Sequence, residues 1–130
     1  MYALRVYRAF EAFHFLIGGD WGDENSHHGH DYRVEVIFEG PNLNQHGYLL
    51  DIVDVEKAMD AQVERYRQST LNKLEEFHGL NPSIEHFSRI LWERLQKCID
   101  PEGLETMTVR VWEDDLAWAR FCAPLVCRDS

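Results

Sequence analysis

The chain has 130 residues, 45% hydrophobic and 28% charged, which fits one folded domain spanning 1–130 and excludes a disordered chain or a repeat array. Thirteen lysine and arginine residues against 23 aspartate and glutamate residues give a net charge of −10. This charge argues against nucleic acid or an anionic membrane as a main partner, although a few local cations can still bind a small anion.

Two strands separated by a loop are predicted at the start of the chain. Apolar residues alternate with polar ones over 2–14 and again over 28–38, which is the period of half-buried strands. Residues 15–27 are rich in glycine, aspartate, asparagine and serine and predict a long loop. The residues predicted to share one face are Tyr2, Leu4, Val6, Phe10, Ala12 and His14 in the first segment, and His28, His30, Tyr32, Val34, Val36 and Phe38 in the second.

Two helices follow a loop over 41–47. Asp51 or Asp54 can cap the first helix, whose apolar positions predict one long helix that Gly79 ends. These positions are Ile52, Val55, Met59, Val63, Tyr66 and Leu74. Asn81 as N-cap and Pro82 at the first helical position predict the start of the second helix. Its predicted buried stripe comprises Phe87, Leu91, Leu95 and Cys98.

Two short strands are predicted near the end, over 107–112 and 117–121, with an acidic turn at Asp114 and Asp115 between them. The order strand, strand, helix, helix, strand, strand predicts an α+β fold, with a four-stranded antiparallel sheet and both helices on one face. The open edges of such a sheet, and large side chains such as Tyr7 and Trp112 on its other face, favour oligomerisation.

The cysteines indicate a reducing compartment. Cys98, Cys122 and Cys127 are odd in number and form no CxxC pair, so neither a zinc ribbon nor a disulfide framework is predicted. The chain shows no signal-peptide pattern and no apolar run of about 18 residues. We therefore expect a soluble, cytoplasmic protein without a membrane partner.

Three histidines carry the main functional signal. His28 and His30 point to the same face of the second strand, and antiparallel pairing with the first strand would bring His14 beside them. Three imidazoles with an open fourth position are typical of catalytic zinc. The alternatives are solvated loop histidines, or core histidines that donate hydrogen bonds to backbone carbonyls. Their place on predicted apolar faces favours the metal, because an unpaired buried imidazole is costly.

The sequence resembles the family of 6-pyruvoyltetrahydropterin and 6-carboxytetrahydropterin synthases. The matching segments are FEAFH at 10–14, HGHDYRVEV at 28–36, GYLLD at 47–51, LN at 71–72, NPSIE at 81–85 and VWE at 111–113. The resemblance implies the tunnelling fold, in which three subunits join their sheets into a barrel and two trimers stack into a homohexamer. It also implies a small-molecule pterin substrate, with His14, His28 and His30 as ligands of Zn2+.

By the same resemblance, Glu113 is the carboxylate that grips the pterin. The aminopyrimidinone edge of a pterin offers two parallel N–H donors, which one carboxylate can accept together. The alternative is an ordinary carboxylate at the surface end of a strand. Glu85, in the first turn of the second predicted helix, fits stabilisation of the helix dipole better than contact with a ligand.

The sequence departs from the family pattern at the catalytic relay. Members that make the pyruvoyl or carboxy product carry a cysteine four residues before the first histidine of the HGH motif, and here that position holds Glu24. Their Asp-His pair is replaced by Arg67 and Gln68. A carboxylate in place of the cysteine resembles a branch of the family that cleaves the side chain of 7,8-dihydroneopterin. That retro-aldol reaction gives 6-hydroxymethyl-7,8-dihydropterin.

We therefore predict a zinc-dependent lyase with Glu24 as the base and His78 or His27 as the proton donor. The alternative for each of these residues is an exposed side chain without a role. A triphosphate substrate would need cations, and the candidates are Arg65, Arg67, Lys73 and Arg89. Three other functions stay open: a 6-carboxy- or 6-pyruvoyltetrahydropterin synthase with an altered relay, a homologue that binds pterin without converting it, and a structural hexamer with surface histidines.

Overall fold

The computed structural model describes residues 1–19, 22 and 26–126. Its strands are β1 (Tyr2–His14), β2 (His28–Gly40), β3 (Thr106–Trp112) and β4 (Trp118–Pro124), and its α-helices are α1 (Ile52–Tyr66) and α2 (Ile84–Gln96). Two short 3-10 turns, Leu71–Lys73 and Glu75–Phe77, connect the helices. The predicted α+β order of strands and helices is confirmed.

The four strands form one antiparallel sheet in the order β1-β2-β3-β4. β1 and β2 form a long hairpin whose register runs from Tyr2 opposite Gly40 to His14 opposite His28. Helix α1 packs on β1, and α2 packs on β3 and β4. Both helices therefore cover the same face of the sheet, as the element order predicts.

The core lies between this sheet face and the helices. Phe87 of α2 is fully buried and its ring makes edge-to-face contacts with Phe10, Tyr32, Tyr66 and Phe77, at centroid distances of 5.0 to 6.2 Å. Burial of one such side chain contributes about 1.5–3 kcal/mol, and aromatic pairs in this geometry add to that. This aromatic cluster joins the hairpin to both helices.

The first helix is shorter than predicted. It is capped by the Asp51 carboxylate, which accepts the Val53 N–H at 2.9 Å, but it ends at Tyr66, so Leu74 lies outside it. Gln68 then adopts a left-handed φ of 59°, and its N–H donates to the Glu11 carbonyl at 2.6 Å. Pairing of this segment with β1 replaces the helical hydrogen bonds, so helical spacing alone overestimates the helix.

The start and end of the second helix also differ from the prediction. Ser83 is the N-cap, with its hydroxyl accepting the His86 N–H at 3.1 Å, whereas the Asn81 side chain accepts the Ile17 N–H at 2.6 Å. Phe87, Leu91 and Leu95 are buried as predicted. Cys98 is exposed, because α2 ends at Gln96 and the helical stripe does not reach it.

The other face of the sheet is polar and aromatic. Glu35 of β2 is buried there between two arginines and a tryptophan, with its carboxylate oxygens 3.6 Å from Arg5, 3.4 Å from Arg110 and 3.2 Å from the Trp112 indole nitrogen. The outer strands β1 and β4 are the edges of the sheet. Among the described residues, neither helix is long and apolar enough to cross a membrane.

Candidate metal and active site

The ends of β1 and β2 bring three imidazole rings together. His14 lies opposite His28 in the hairpin, and His30 is the next residue of β2 on the same face. The ring centroids are 4.4 Å apart for His14 and His28, and 4.7 Å apart for each of the other two pairs. The structure therefore brings together the three histidines that the sequence predicts to converge.

Hydrogen bonds at Nδ1 orient the rings of His28 and His14, so that the Nε2 atom of each ring points away from that hydrogen bond. The Nδ1 atom of His28 lies 2.6 Å from the Ser26 carbonyl oxygen, and because a carbonyl only accepts, Nδ1 carries the hydrogen. The Nδ1 atom of His14 lies 2.5 Å from the Tyr32 hydroxyl. Such outer contacts orient histidine ligands and set their tautomer in metal sites.

His14 is neutral at physiological pH. Only 2% of its surface is exposed, and burial, followed by the proximity of His30, His28 and His27, lowers the pKa of His14 to about 4. Burial lowers the pKa of an imidazole because it disfavours the charged form. A neutral imidazole is the form that binds a metal ion.

A carboxylate joins the histidine group from β3. Glu113 immediately follows Trp112, the last residue of β3, and one of its oxygens lies 3.0 Å from His30 Nε2 and 3.4 Å from His14 Nε2. One ligand atom from each of His14, His28, His30 and Glu113 lies within 4.8 Å of the others. Three imidazoles and one carboxylate suit zinc in composition, and their spacing lets them share one ion.

A stacked pair on the other side of the hairpin supports the HGH segment. The Phe13 ring packs over Gly29, where an added Cβ would lie 3.0 Å from it, so a larger residue at this position would have to displace the ring by a few tenths of an ångström. Phe13 also stacks on His27 at a centroid distance of 5.0 Å. The Nε2 atom of His27 lies 2.8 Å from the Thr70 hydroxyl, which links this stack to the segment after α1.

Two asparagines hold the backbone that leaves β1. Asn72 accepts the Phe15 N–H at 3.0 Å and donates to the Phe15 carbonyl at 2.8 Å. Asn81 accepts the N–H of Ile17, two residues further on. Because Phe15 follows His14 directly, these bonds position both a histidine of the metal group and the start of the loop that carries Glu24.

The predicted acid and base residues have different outcomes. Glu24 lies outside the described residues. His78 is exposed at the end of the second 3-10 turn and is not a member of the histidine and glutamate group. Glu85 lies in the first turn of α2, as expected for a residue that stabilises the helix dipole.

Sequence reasoning missed two contributors to the site, Tyr32 and Asn72, and did not predict that Glu113 lies beside the imidazoles. Tyr32 shares the β2 face with His28 and His30, so its phase was a usable signal for contact with His14. The pairing of Asn72 with Phe15 joins residues 57 positions apart, and no local pattern predicts it. The proximity of Glu113 to the imidazoles depends on the register of β2 and β3, in which Arg33 lies opposite Trp112.

Comparison with known proteins connects this arrangement to pterin enzymes. A family model described as 6-pyruvoyl tetrahydropterin synthase matches residues 3–124. A curated relative, the dihydroneopterin monophosphate aldolase of Pyrococcus furiosus, is 30% identical over 114 residues, which cover 87% of this chain and 91% of the relative.

Solved structures share the fold. The 6-pyruvoyl tetrahydropterin synthase of Caenorhabditis elegans matches with a TM-score of 0.79 at 20% identity, over 92% of this chain and 94% of that chain. A Plasmodium vivax 6-pyruvoyltetrahydropterin synthase, solved as a variant with cysteine in place of a catalytic glutamate, matches with a TM-score of 0.77 at 16% identity, over 95% of this chain and 98% of that chain.

Proposed function

Because the chain belongs to the 6-pyruvoyl tetrahydropterin synthase family, we propose that it is a zinc-dependent lyase acting on the side chain of 7,8-dihydroneopterin or its phosphates. The proposed reaction is retro-aldol cleavage to 6-hydroxymethyl-7,8-dihydropterin. The observation that carries this proposal is the gathering of His14, His28, His30 and Glu113 at one end of the sheet. The aldolase named for the curated relative supports the reaction type.

His14, His28 and His30 are the proposed zinc ligands. Their donor set fits the ion, because all three are imidazoles and the hydrogen bond from His28 to the Ser26 carbonyl leaves Nε2 as the nitrogen with the lone pair. When bound, the ion supplies positive charge that polarises oxygens of the substrate side chain. The buried hydroxyl of Tyr32 and the Ser26 carbonyl keep two of the rings oriented for this role.

The proposed base is Glu24. Its carboxylate takes the proton from the side-chain hydroxyl next to the bond that breaks. The carbon that bears this hydroxyl becomes the carbonyl carbon of a two-carbon aldehyde. The electron pair of the broken carbon–carbon bond passes into the dihydropterin ring. A proton donor, for which we propose His78 or His27, then protonates the remaining carbon to give the hydroxymethyl product.

The residue type at position 24 has support from a relative. The two Plasmodium vivax structures replace a glutamate named as a catalytic residue with cysteine and with alanine. A glutamate can therefore serve as the catalytic residue on this fold. This supports Glu24 as the functional replacement for the family cysteine.

We propose that Glu113 is the carboxylate that binds the pterin. Its position beside His14 and His30 adds a second proposed role, as a carboxylate at the metal ion. The two roles predict different losses when Glu113 is replaced by glutamine.

A synthase activity is the second candidate. The family model and the solved relatives carry the name of 6-pyruvoyl tetrahydropterin synthase, which supports a side-chain rearrangement rather than cleavage. The replacement of the family Asp-His pair by Arg67 and Gln68 argues against it. A homologue that binds pterin without converting it is the remaining alternative.

Product analysis tests these functions directly. Zinc-loaded protein is incubated with 7,8-dihydroneopterin, its monophosphate and its triphosphate, and the pterins are oxidised, separated and identified by fluorescence and mass. We expect 6-hydroxymethylpterin together with a two-carbon aldehyde. Formation of a 6-pyruvoyl or 6-carboxy product would replace the lyase proposal with the synthase, and binding without any product would favour the non-catalytic homologue.

Variants of the loop test the base. Glu24→Gln is expected to lower kcat by at least about 100-fold, because general base catalysis contributes roughly that much, with zinc content unchanged. Asp23→Asn removes a neighbouring charge and serves as the matched control. Equal activity of both variants would exclude Glu24 as the base.

The proposed assembly is a homohexamer made of two trimers. The edge strands β1 and β4 are the surfaces through which three sheets would join. Light scattering should give a mass about six times that of the 15.3 kDa chain. We also expect the protein to be cytoplasmic.

A further inference from the structure

The sheet face that the helices leave uncovered carries a group of arginines. In the register of the sheet, one row across the four strands holds Tyr7, Glu35, Arg110 and Arg120. Side chains opposite each other in such a row point to the same face, with Cβ atoms about 4.5–5.5 Å apart. Arg5 lies two residues from Tyr7 and therefore on the same face of β1. We call Arg5, Arg110 and Arg120 the sheet-face arginines.

One carboxylate is shared between two of these arginines. The Glu35 oxygens lie 3.6 Å from Arg5 and 3.4 Å from Arg110, whereas the Arg65 guanidinium makes two 2.7 Å hydrogen bonds to Glu76. Hydrogen bonds between charged groups are normally about 2.7–2.9 Å long, so both contacts of Glu35 are loose. A single carboxylate offsets one positive charge at most, and the second charge stays uncompensated.

Arg110 is held in place while most of its hydrogen-bonding capacity is unused. Its guanidinium carbon lies 4.2 Å from the centre of the Trp118 ring, on the opposite side from a 3.4 Å hydrogen bond to Glu35 on the neighbouring strand. Its Nε atom is buried and has no hydrogen-bond partner among the described residues. A guanidinium carries five N–H donors in a fixed plane. The ring and the carboxylate thus orient a group whose remaining donors are available to a ligand.

Arg120 has no acidic oxygen within 4.0 Å in the part of the chain that the structure describes. It lies directly opposite Arg110, and like charges in opposed positions of two strands repel each other. Arg33, in the neighbouring row, differs because it pairs with Asp115 at 2.9 Å. An anion between Arg110 and Arg120 would replace their repulsion with attraction.

The other carboxylates on this face, among the described residues of the strands, lie near the two ends of the sheet. Asp31 and Glu39 are each four residues from Glu35 along β2, which is about 13 Å at a rise of about 3.3 Å per residue. Glu11 lies opposite Asp31. These distances exceed the Debye length of about 8 Å at physiological ionic strength. The middle of the face therefore carries a surplus of positive charge, although the chain has a net charge of −10.

We propose that the sheet-face arginines form a binding site for a multivalent oxyanion of the phosphate class. Several oxygens on one anion can accept N–H donors from more than one guanidinium at once, which chloride cannot do. Free pyrophosphate and the diphosphate of a nucleotide share this chemistry. The site lies on the opposite face of the sheet from the histidine group, so the inference is independent of the proposed lyase function.

Calorimetric titration of the metal-free protein tests this site. Metal is stripped with chelator and the chelator is removed by dialysis, so that no anion binds to an ion at the histidine group. Pyrophosphate and ADP are titrated separately, at an ionic strength held constant with sodium chloride. We expect saturable binding, with one anion per chain, or one per three chains where three sheets join as proposed. Tighter binding of ADP would identify a nucleotide as the source, and tighter binding of pyrophosphate would identify a free anion.

Arg120→Gln is the decisive variant, because Arg120 is exposed and supports no contact within the described residues. It should weaken anion binding about tenfold or more, since hydrogen bonds between charged groups contribute on that scale. Arg120→Lys should retain part of the affinity. Lys97→Gln is the matched control, because it changes the net charge by the same amount directly after α2 and should bind as the wild-type protein does.

The inference is overturned if the wild-type protein binds neither anion at constant ionic strength. It is equally overturned if Arg120→Gln keeps the affinity, or if Lys97→Gln loses it to the same extent. No step of the experiment requires turnover of a pterin. Failure of the lyase proposal would therefore leave this result unaffected, and absence of anion binding would leave the lyase proposal standing.

Thermal unfolding gives a second readout with opposite signs for one variant. In Arg120→Glu, a carboxylate opposite Arg110 replaces a like charge, so the variant should have a higher Tm than the wild-type protein without anion. Pyrophosphate should raise the Tm of the wild-type protein, because a ligand of the folded state stabilises it, and should leave that of the variant unchanged. Equal stabilisation of both proteins by pyrophosphate would contradict the proposed site.

Discussion

The Nδ1 atom of His14 and the hydroxyl oxygen of Tyr32 lie 2.5 Å apart, and both side chains are buried. The two residues come from neighbouring strands, and the tyrosine ring also packs against Phe10 and Phe87 in the core. The aromatic core therefore extends directly to a histidine of the metal group. This contact means that core packing contributes directly to the orientation of the His14 ring.

Tyr32→Phe should weaken zinc binding while the fold is kept. The phenylalanine ring fills the same space, but His14 loses the partner of its Nδ1 atom, and loss of such a contact typically costs about 10-fold or more in metal affinity. Competition with a chromophoric zinc chelator gives the affinity. Tyr66→Phe is the control, because Tyr66 is equally buried and its hydroxyl donates to Glu76 at 2.6 Å, outside the histidine group.

The two variants should therefore separate metal affinity from stability. Tyr66→Phe is expected to lower the free energy of unfolding by about 1 kcal/mol, through loss of one hydrogen bond, and to leave zinc affinity unchanged. Equal zinc affinity of Tyr32→Phe and the wild-type protein would show that the contact does not orient a ligand.

Glu113→Gln should distinguish the two proposed roles of this carboxylate. If it binds the pterin, the variant loses about tenfold or more in affinity for neopterin, because the amide cannot accept two parallel N–H donors, and zinc affinity stays. If Glu113 lies at the metal, the variant instead loses zinc affinity, because a charge 3.0 Å from His30 Nε2 is removed. Zinc competition and pterin fluorescence on the same sample report both quantities, and no change in either would exclude both roles.

Strand alternation and the order of elements were sufficient to predict the sheet and the meeting of His14 with His28. Both depend on a period of two and on a hairpin, which are local patterns. The end of α1 at Tyr66 was not predictable in this way, because the helix stops where Gln68 pairs with Glu11, a residue far away in the sequence. Helical spacing continues past that point and carries no information about the competing strand.

In the site too, some features follow from local sequence patterns and others depend on contacts between residues far apart in the sequence. The three histidines follow from strand phase, whereas the contact of Glu113 with them requires three strands in register. The resemblance to a family supplied Glu113 as a candidate without its position. Long-range hydrogen bonds such as that between Asn72 and Phe15 arise only when the chain has folded, and no spacing within the sequence encodes them.

Asn72→Asp should disturb the metal site more than Asn81→Asp. Asn72 donates to the Phe15 carbonyl as well as accepting the Phe15 N–H, so a carboxylate there faces a carbonyl oxygen and repels it. Asn81 acts on Ile17 only through its oxygen, which aspartate keeps. We expect Asn72→Asp to lower zinc affinity about tenfold and Asn81→Asp to leave it near the wild-type value. Equal effects of the two variants would mean that the Phe15 contact does not position His14.

The link between the 3-10 turns and the helices should appear as a pH dependence of stability. Glu76 is mostly buried and its carboxylate accepts two hydrogen bonds from Arg65 and one from Tyr66. The Arg65 hydrogen bonds, followed by that of Tyr66, hold the pKa of Glu76 at about 2, below its usual 4.5, against the opposing effect of burial. A lowered carboxylate pKa means that the stabilisation is complete above pH 4.5 and is lost as the pH falls from 4.5 toward 2.

Glu76→Gln therefore should be less stable than the wild-type protein at pH 7 and lose this difference in acid. The expected difference in the free energy of unfolding is about 1–2 kcal/mol, because the half-exposed Arg65 is partly screened by solvent. Urea unfolding of metal-free protein between pH 7 and pH 2 measures this difference. Chelator is present at every pH, so that loss of metal from protonated histidines does not contribute to it. Glu93→Gln, which removes the exposed partner of Arg89, should change stability by less than about 0.5 kcal/mol at every pH. A pH-independent gap between Glu76→Gln and the wild-type protein would show that the ionised carboxylate is not what stabilises this junction.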